Sequence, residues 1–268
     1  MINEKIYLDP NDKAVVLETF VHNDADMPVR DALLIFPGGG YTHVCAFREG
    51  ECIATAFASR GVNAFVLTYR VGPEHRYPSQ LIDAARAMAY IKENAQKYKI
   101  NPDRVFTLGF SAGGHLCGNL ATEYEKAEEL LSLKKDTARP CGSVYCYPVV
   151  SAVALTHSWS FQMLTGKDFK DLTEEEKRAH SNELRVNEKT PPAFIWHTAE
   201  DETVPIMGSL RLCSAYVDAG VPVEMHVYPY GPHGLALATE LTSNGNEDFI
   251  QPRAAEWVDK AVGWMKTV

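Results

Sequence analysis

The sequence predicts an α/β fold, a mostly parallel central sheet with helices on both of its faces. Apolar, β-rich segments recur between amphipathic ones, and this alternation is typical of βαβ units. Most of the apolar segments are continuous rather than alternating, as expected of strands that are buried on both faces. A length of 268 residues suits one large domain of this class. We therefore expect a single domain over residues 1–268 with a short cap insertion at about residues 150–190.

The predicted strands define the sheet. Apolar runs rich in β-branched and aromatic residues mark six of them. These runs are Ala32–Phe36, Ala64–Thr68, Val105–Leu108, Val144–Tyr147, Ala193–Trp196 and Val223–Val227. The stretch Ala14–Val21 is expected to add an antiparallel edge strand.

Amphipathic helices are predicted between the strands. Apolar residues at steps of three and four run from Leu81 to Tyr98, and this helix should end before Asn101-Pro102. A second helix is expected from about Ile206 to Ala219, with Gly220 as its stop. The last one follows Pro252 and carries Trp257 and Trp264 on its apolar face. Residues 150–190 break this rhythm with polar and acidic sequence, which indicates the cap.

Composition and charge exclude several functions. The chain has 26 Lys and Arg against 35 Asp and Glu, a net charge of −9, and no basic run that could neutralise phosphates, so we expect no nucleic-acid partner. The N-terminal segment is acidic and no apolar stretch approaches about 18 residues, which predicts no membrane partner and a cytoplasmic protein. The six cysteines lack metal-ligand spacing, so we predict free thiols and no metal site.

The strongest chemical signal is the pentapeptide Gly109-Phe-Ser111-Ala-Gly113. It follows an apolar strand and precedes a helical stretch, the setting of a nucleophile elbow, in which the tight turn excludes bulk two residues before and after the serine. A phosphate-binding loop is the alternative, but Gly114-His115 stands where a Walker loop needs Lys followed by Ser or Thr. Ser111 is thus the predicted nucleophile, with a helix starting near Gly114.

A serine hydroxyl needs a base, and in this fold the expected order along the chain is serine, acid, histidine. His233 lies in Gly231-Pro-His-Gly234, just after a predicted strand, where ligands bind in open α/β sheets. His197 and His226 belong to strands and are interpreted as core or supporting residues. For the acid, Glu200, Asp201 and Glu202 follow another strand, and spacing alone does not choose among them.

Consecutive glycines in Pro37-Gly-Gly-Gly40 follow the strand Ala32–Phe36 and allow backbone N–H groups to approach a ligand oxygen. Together with the N–H of Ala112, the residue after the nucleophile, they can form an oxyanion hole. The alternative is an ordinary glycine turn.

These motifs resemble those of α/β-hydrolase fold serine esterases, in particular bacterial acetyl (xylan) esterases and hormone-sensitive-lipase-like carboxylesterases. Pro37–Gly40 is similar to their His-Gly-Gly-Gly motif, and Tyr69–His75 to their Tyr-Arg-x-x-Pro-Glu-His stretch. The resemblance selects Asp201 as the acid and implies that Gly39, Gly40 and Ala112 donate to the oxyanion. Pro37 replaces the family's His and Phe110 replaces a frequent Asp; both departures favour the acetyl-esterase branch.

The resulting prediction is a serine carboxylesterase for short-acyl esters, with acetylated sugars or xylo-oligosaccharides as the substrates that the resemblance suggests. Ser111, Asp201 and His233 carry catalysis, no cofactor is required, and the partner is a small-molecule ester. Substrate contacts are expected from Tyr41, His43, His115 and Trp159. An arylformamidase-like or peptidase-like amide hydrolase and a catalytically inactive small-molecule receptor remain alternatives. The oligomeric state is left open, a homo-oligomer included.

Overall fold

The computed structural model describes residues 2–9, 12–24 and 26–268 of the chain. Within these residues, eight strands form one sheet in the order β1-β2-β4-β3-β5-β6-β7-β8. The strands are β1 Lys5–Asp9, β2 Asp12–Phe20, β3 Arg30–Phe36, β4 Asn63–Thr68, β5 Ile100–Phe110, β6 Ser143–Cys146, β7 Ala193–Thr198 and β8 Val223–Tyr228. The pairs from β4 through β3 to β8 are parallel, and only the pairs that involve β1 or β2 are antiparallel.

Helices cover both faces of this sheet, as predicted. They are α1 Cys52–Ala58, α2 Ser79–Glu93, α3 Ala95–Tyr98, α4 Ala112–Leu131, α5 Ser158–Thr165, α6 Glu174–Ala179, α7 Met207–Asp218, α8 Pro252–Ala255 and α9 Trp257–Met265. Buried side chains of α2, α4 and α7 pack in one apolar core, and those of α1, α8 and α9 pack in a second. The sheet therefore separates two cores, and the central strands β3, β4, β6 and β7 are almost entirely buried.

Two local predictions are wrong. The edge strand is β1, which lies outside β2, because the short sequence Lys5–Asp9 alternates half-buried and exposed residues and gave no apolar run. The helix predicted from Leu81 to Tyr98 is interrupted at Asn94, whose non-helical backbone separates α2 from α3. The helical region ends at Tyr98, before Asn101-Pro102 as predicted, and these two residues lie inside the long strand β5.

The segment between β6 and β7 forms the predicted cap. It contains α5, α6 and two short 3₁₀ turns, Phe169–Asp171 and Asn182–Leu184. A capping box at Thr173 starts α6, since the Thr173 hydroxyl accepts from the Glu176 N–H and the Glu176 carboxylate reaches back. Phe161 on α5 packs edge-on against His115, with ring centroids 5.2 Å apart. This contact attaches the cap to the start of α4.

The cysteines and the helices bear on two further predictions. All six cysteines are free thiols. Across residues 2–9, 12–24 and 26–268, no helix is both long enough and apolar enough to cross a membrane.

Candidate active site

Ser111 occupies a sharp turn between the end of β5 and the start of α4. Its backbone has φ 52° and ψ −119°, outside the regions that most side-chain-bearing residues adopt. A Cβ on Gly109 would overlap the carbonyl oxygen of Gly113, and one on Gly113 would overlap that of Phe36. The two glycines are therefore required by close backbone contacts, and the turn holds Ser111 at the carboxyl edge of the sheet.

Ser111, His233 and Asp201 form one chain of hydrogen bonds. The Nε2 atom of His233 lies 2.9 Å from the Ser111 Oγ, and its Nδ1 atom lies 2.6 Å from Oδ2 of Asp201. The structure thus brings together three residues that follow three different strands, β5, β7 and β8. In this arrangement Nδ1 carries a proton toward the carboxylate, which leaves Nε2 free to accept the serine proton.

Asp201 is the carboxylate, of the three adjacent ones, that reaches the histidine. Its Oδ1 accepts from the N–H groups of Thr203 and Val204, and its Oδ2 accepts from a second histidine, His197, at 3.1 Å. Burial alone would raise the pKa of Asp201, but the hydrogen bonds from His197, His233 and Val204 outweigh it and hold the pKa well below its usual value. Asp201 is therefore ionised at neutral pH.

The sequence predicts a core or supporting role for His197, and the structure shows that its side chain contacts Asp201. The imidazole is fully buried at the end of β7. Its Nε2 faces two acceptors, Asp201 Oδ2 and the Val204 carbonyl at 2.9 Å, so Nε2 carries the proton. Its Nδ1 then accepts from the Ser209 hydroxyl at 2.8 Å. His197 thus donates to the same carboxylate oxygen as His233 and helps to fix the Asp201 side chain.

Residues 37–42, called the oxyanion loop after the role predicted from the sequence, present N–H groups beside Ser111. Gly39 and Gly40 have φ values of 130° and 61°, which glycine adopts without strain. Within the described part of the chain, no acceptor is bonded to the N–H of either glycine. Ala112 is the first residue of α4, where N–H groups have no partner inside the helix. Three backbone donors are thus available for a negatively charged oxygen.

A cavity of about 260 Å³ opens onto Ser111. It is lined by residues 39, 40, 43, 45, 48, 49, 111, 157, 203, 233, 234 and 249. A second cavity of about 630 Å³ shares Thr203 and His233 with it and is lined by the acidic side chains of Glu200, Glu202 and Asp248. The reactive serine therefore stands beside one small pocket, and a wider, acidic cleft lies next to it.

Two of the predicted substrate contacts are wrong. Tyr41 and His115 are both fully buried, and they bond each other, with 2.9 Å between the Tyr41 hydroxyl and Nδ1 of His115. The other ring nitrogen of His115 lies 2.8 Å from the carbonyl oxygen of His180 in the cap. Both side chains bond each other in the interior, and neither lines the cavity, although both residues lie close to predicted site residues along the chain.

The other two predicted contacts are accessible. His43 is exposed and lines the cavity with Ser111. Trp159 is 48% exposed and donates from its indole N–H to the Thr42 hydroxyl at 3.0 Å, which ties α5 to the oxyanion loop.

His157 is a cavity residue that sequence reasoning missed. It lines the same pocket as Ser111 and His233, and its Nδ1 lies 2.9 Å from the buried Ser160 hydroxyl. Burial and the neighbouring His233 lower its pKa, so His157 is neutral at pH 7. It follows no strand and no glycines, so the pattern that identifies His233 could not find it.

No cluster of three or more His, Cys, Asp or Glu side chains suited to a metal ion occurs in the described residues. The three aligned side chains and the N–H groups beside them can generate a serine nucleophile and receive an oxyanion.

Comparisons with known proteins give consistent findings. A protein-family model described as BD-FAE matches residues 20–216, well over half of the chain. The chain is 39% identical over 235 residues to endo-1,4-beta-xylanase B of Butyrivibrio fibrisolvens, a match that covers 85% of this chain and 36% of that protein. It is 30% identical over 215 residues to the acetylxylan esterase of Xylanibacter ruminicola, covering 79% of this chain and 42% of the relative. The chain thus spans well under half the length of these two curated relatives.

A solved structure supports the fold over the whole length. The crystal structure of MGS-M1, described as an α/β hydrolase enzyme from a Medee basin deep-sea metagenome library, superposes with a TM-score of 0.81 at 34% identity. The match covers 100% of this chain and 97% of that one. The predicted α/β-hydrolase fold is confirmed.

Proposed function

Because the chain belongs to the BD-FAE family of α/β-hydrolases, we propose that it is a serine hydrolase that cleaves carboxylic esters with short acyl groups. The hydrogen-bonded chain from Ser111 through His233 to Asp201 carries this proposal. These three side chains supply a nucleophile, and the free N–H groups of Gly39 and Gly40 beside them can receive the negative charge that forms on the ester oxygen.

In the acylation step, His233 accepts the Ser111 proton at Nε2 while Oγ attacks the ester carbonyl. The carbonyl oxygen becomes an oxyanion, and Gly39, Gly40 and Ala112 donate their N–H groups to it. Asp201 stabilises the imidazolium across the 2.6 Å hydrogen bond. His233 then gives its proton to the leaving alcohol, and an acyl-serine remains.

In the deacylation step, water occupies the position that the alcohol has left. His233 takes a proton from this water, whose oxygen attacks the acyl carbonyl, and the same N–H groups receive the second oxyanion. Return of the proton to Ser111 Oγ releases the carboxylic acid. Every proton transfer therefore passes through one imidazole, and no cofactor takes part in the proposed reaction.

The size of the cavity favours a small acyl group. A volume of about 260 Å³ at Ser111 accommodates an acetyl group and part of an alcohol, and it lies at the low end of ligand pockets. We further propose acetylated sugars or xylo-oligosaccharides as substrates. The neighbouring cleft supports this, since Glu200, Glu202 and Asp248 present acceptors for sugar hydroxyls, as does the name of the acetylxylan esterase relative.

The test is hydrolysis of p-nitrophenyl acetate and labelling with a fluorophosphonate. We expect turnover and labelling by the wild-type protein, and neither by Ser111→Ala at an unchanged melting temperature. Retained turnover in the variant would disprove Ser111 as nucleophile. Faster cleavage of butyrate or octanoate esters than of acetate would contradict the short acyl group, and a panel of acetylated xylo-oligosaccharides tests the alcohol.

The remaining functional predictions have simple tests. Faster cleavage of aryl formamides or peptides than of esters would identify an amide hydrolase instead. A protein that binds esters but neither turns them over nor reacts with the fluorophosphonate would be a receptor. Cell fractionation tests the predicted cytoplasmic location, and light scattering measures the oligomeric state.

A further inference from the structure

Glu49 is a buried carboxylate next to the oxyanion loop that the proposed reaction does not use. It lies in a single π-helical turn, Phe47–Glu51, and is 6% exposed. Within the described residues no cation lies at ion-pair distance from it. A buried carboxylate without a cation is costly unless hydrogen bonds compensate. Both of its oxygens are in fact bonded, and both bonds lead to the active site.

The first bond reaches the oxyanion loop. Glu49 Oε2 accepts from the N–H of Gly38 at 2.7 Å, so this N–H is already bonded within the protein. The carbonyl of Gly38 accepts from the Cys45 N–H at 2.9 Å, and that of Pro37 accepts from the Tyr69 hydroxyl at 2.7 Å. The first and third bonds fix the Pro37–Gly38 peptide plane, and the second fixes the next plane, which carries the free N–H of Gly39. The free N–H of Gly40 lies in the plane after that, whose Gly39 carbonyl accepts from the Thr42 N–H at 2.9 Å.

The second bond reaches the base. Glu49 Oε1 accepts from the Tyr147 hydroxyl at 2.8 Å, and the same hydroxyl accepts from the Ala236 N–H at 2.9 Å. The Tyr147 ring packs edge-on against the His233 ring, with centroids 5.1 Å apart. Arg48, the preceding residue, donates to the carbonyl of Gly234, the residue after the base, at 2.8 Å. One turn of helix thus holds both halves of the site.

We propose that Glu49 is a positioning residue that holds the oxyanion loop against the catalytic base, so that the N–H groups of Gly39 and Gly40 point at the place where negative charge develops. This inference rests on the proposed ester hydrolysis. The role requires a side chain that accepts two hydrogen bonds at once, from a backbone N–H and from a hydroxyl 98 residues further along the chain. Glu49 borders the cavity that opens onto Ser111, but the hydrogen-bond partner of Ser111 Oγ is His233.

The variants Glu49→Leu, Glu49→Asp and Glu49→Gln separate the contacts. Leucine accepts no hydrogen bond, and aspartate is too short to reach both Gly38 and Tyr147. Glutamine keeps an oxygen for the Gly38 N–H, but its NH₂ group cannot accept from Tyr147. Tyr147→Phe is the matched control, because it removes the second bond, together with the bond from the Ala236 N–H, and keeps the bond to Gly38; it should resemble Glu49→Gln.

Two readouts distinguish positioning from a general structural role. One is kcat and KM for p-nitrophenyl acetate. The other is the inhibition constant of an acetyl-sized trifluoromethyl ketone, whose serine adduct carries an oxyanion in the same place. Loss of an oxyanion donor costs about 10²–10³-fold in kcat. We expect Glu49→Leu to lose that much in kcat with little change in KM, and to bind the ketone weaker by a similar factor. Glu49→Gln should stay within about tenfold of the wild type, and Glu49→Asp should lie between.

The outcomes are decisive even if Glu49→Leu does not fold, because the aspartate variant keeps a polar group in the same site and then carries the test. A folded Glu49→Leu or Glu49→Asp with unchanged kcat would overturn the proposal. A fall in kcat without a matching loss of ketone affinity would overturn it as well. A wild-type protein without ester turnover would instead refute the proposed function, which is a different result.

Discussion

His233 and His115 both lie near Ser111, but they differ in burial and in hydrogen-bond partners. His233 is partly accessible and is bonded to a carboxylate on one side and to a serine hydroxyl on the other. His115 is fully buried and is bonded to a tyrosine hydroxyl and a backbone carbonyl. Burial lowers the pKa of His115 to about 3, so this imidazole stays neutral in the folded protein.

The comparison shows what a general base needs beyond its imidazole. A carboxylate must stabilise the charge that the ring acquires, and space beside Nε2 must admit a substrate. His115 has neither, because one ring nitrogen is bonded to the Tyr41 hydroxyl and the other to the backbone carbonyl of His180, and neither partner is a carboxylate. We therefore propose that His233 is the catalytic base and that His115 attaches the cap, and the following substitutions test these two roles.

The largest effect is expected from His233→Gln. Removal of the proposed base should lower kcat by about 10⁵–10⁶-fold, as loss of the histidine does in other serine hydrolases, with little change in stability. The measurement is p-nitrophenyl acetate turnover with denaturant unfolding in parallel. The control is His115→Gln, which should retain most of the turnover. Comparable losses of turnover in the two variants would contradict the proposal that only His233 acts as the base.

Asp201→Asn should have the next largest effect. An asparagine can present its NH₂ group to Nδ1 of His233, which favours the wrong tautomer, so we expect kcat to fall by about 10⁴-fold. Glu200→Gln and Glu202→Gln are matched controls on the same loop and should stay within about tenfold of the wild type. A loss of similar size in either control would reassign the acid.

Much of the fold and of the candidate site could be predicted from the sequence, because the signals lie in short segments of the chain. The parallel strands were identified because burial on both faces makes their sequences continuously apolar, as in Ala193–Trp196. Ser111 was found because the elbow requires glycines two residues on either side, and His233 because it follows a strand within a glycine-rich loop. Each of these signals lies within about ten consecutive residues.

The parts that sequence could not predict depend on contacts between distant segments. Glu49 meets Tyr147 and His157 meets the cavity only after the sheet has formed. Tyr41 follows the glycines directly, but its backbone adopts φ 58° and its side chain lies in the core. Proximity to a site along the chain does not determine which way a side chain points, and this is why the predicted roles of Tyr41 and His115 were wrong.

For His115, stability is the property that should change. His115→Leu leaves the Tyr41 hydroxyl and the His180 carbonyl without their partner in the interior, which should cost about 2–4 kcal/mol of unfolding free energy. Tyr41→Phe removes one bond only and should cost about 1 kcal/mol. Denaturant unfolding measures both, and kcat should change little. A His115→Leu variant of wild-type stability but low turnover would move His115 into the catalytic machinery.

His115 should also make the stability of the protein depend on pH. The pKa of His115 is about 3 in the folded protein and about 6.5 in the unfolded chain, so the unfolded state binds more protons between these values. Stability is therefore full above pH 6.5 and falls as the pH drops, by about 2 kcal/mol at pH 5 from this group. The pKa of His180, lowered by burial to about 4, adds to the trend. His115→Gln should flatten the profile between pH 7 and 5, and an unchanged slope would exclude this explanation.

The smallest effect is expected at the rim of the cavity, where Trp159 bonds Thr42 across the gap between cap and oxyanion loop. Trp159 is 48% exposed, so water competes for this hydrogen bond, and Trp159→Phe should cost less than about 1 kcal/mol of stability. If the indole also contacts the alcohol, KM for acetylated xylo-oligosaccharides should rise by a few-fold while KM for p-nitrophenyl acetate stays constant. Thr42→Val removes the same bond without removing the aromatic ring, and is the matched control. A KM that rises in both variants would assign the effect to the position of the loop, whereas a rise in Trp159→Phe alone would assign it to contact between the indole N–H and the sugar.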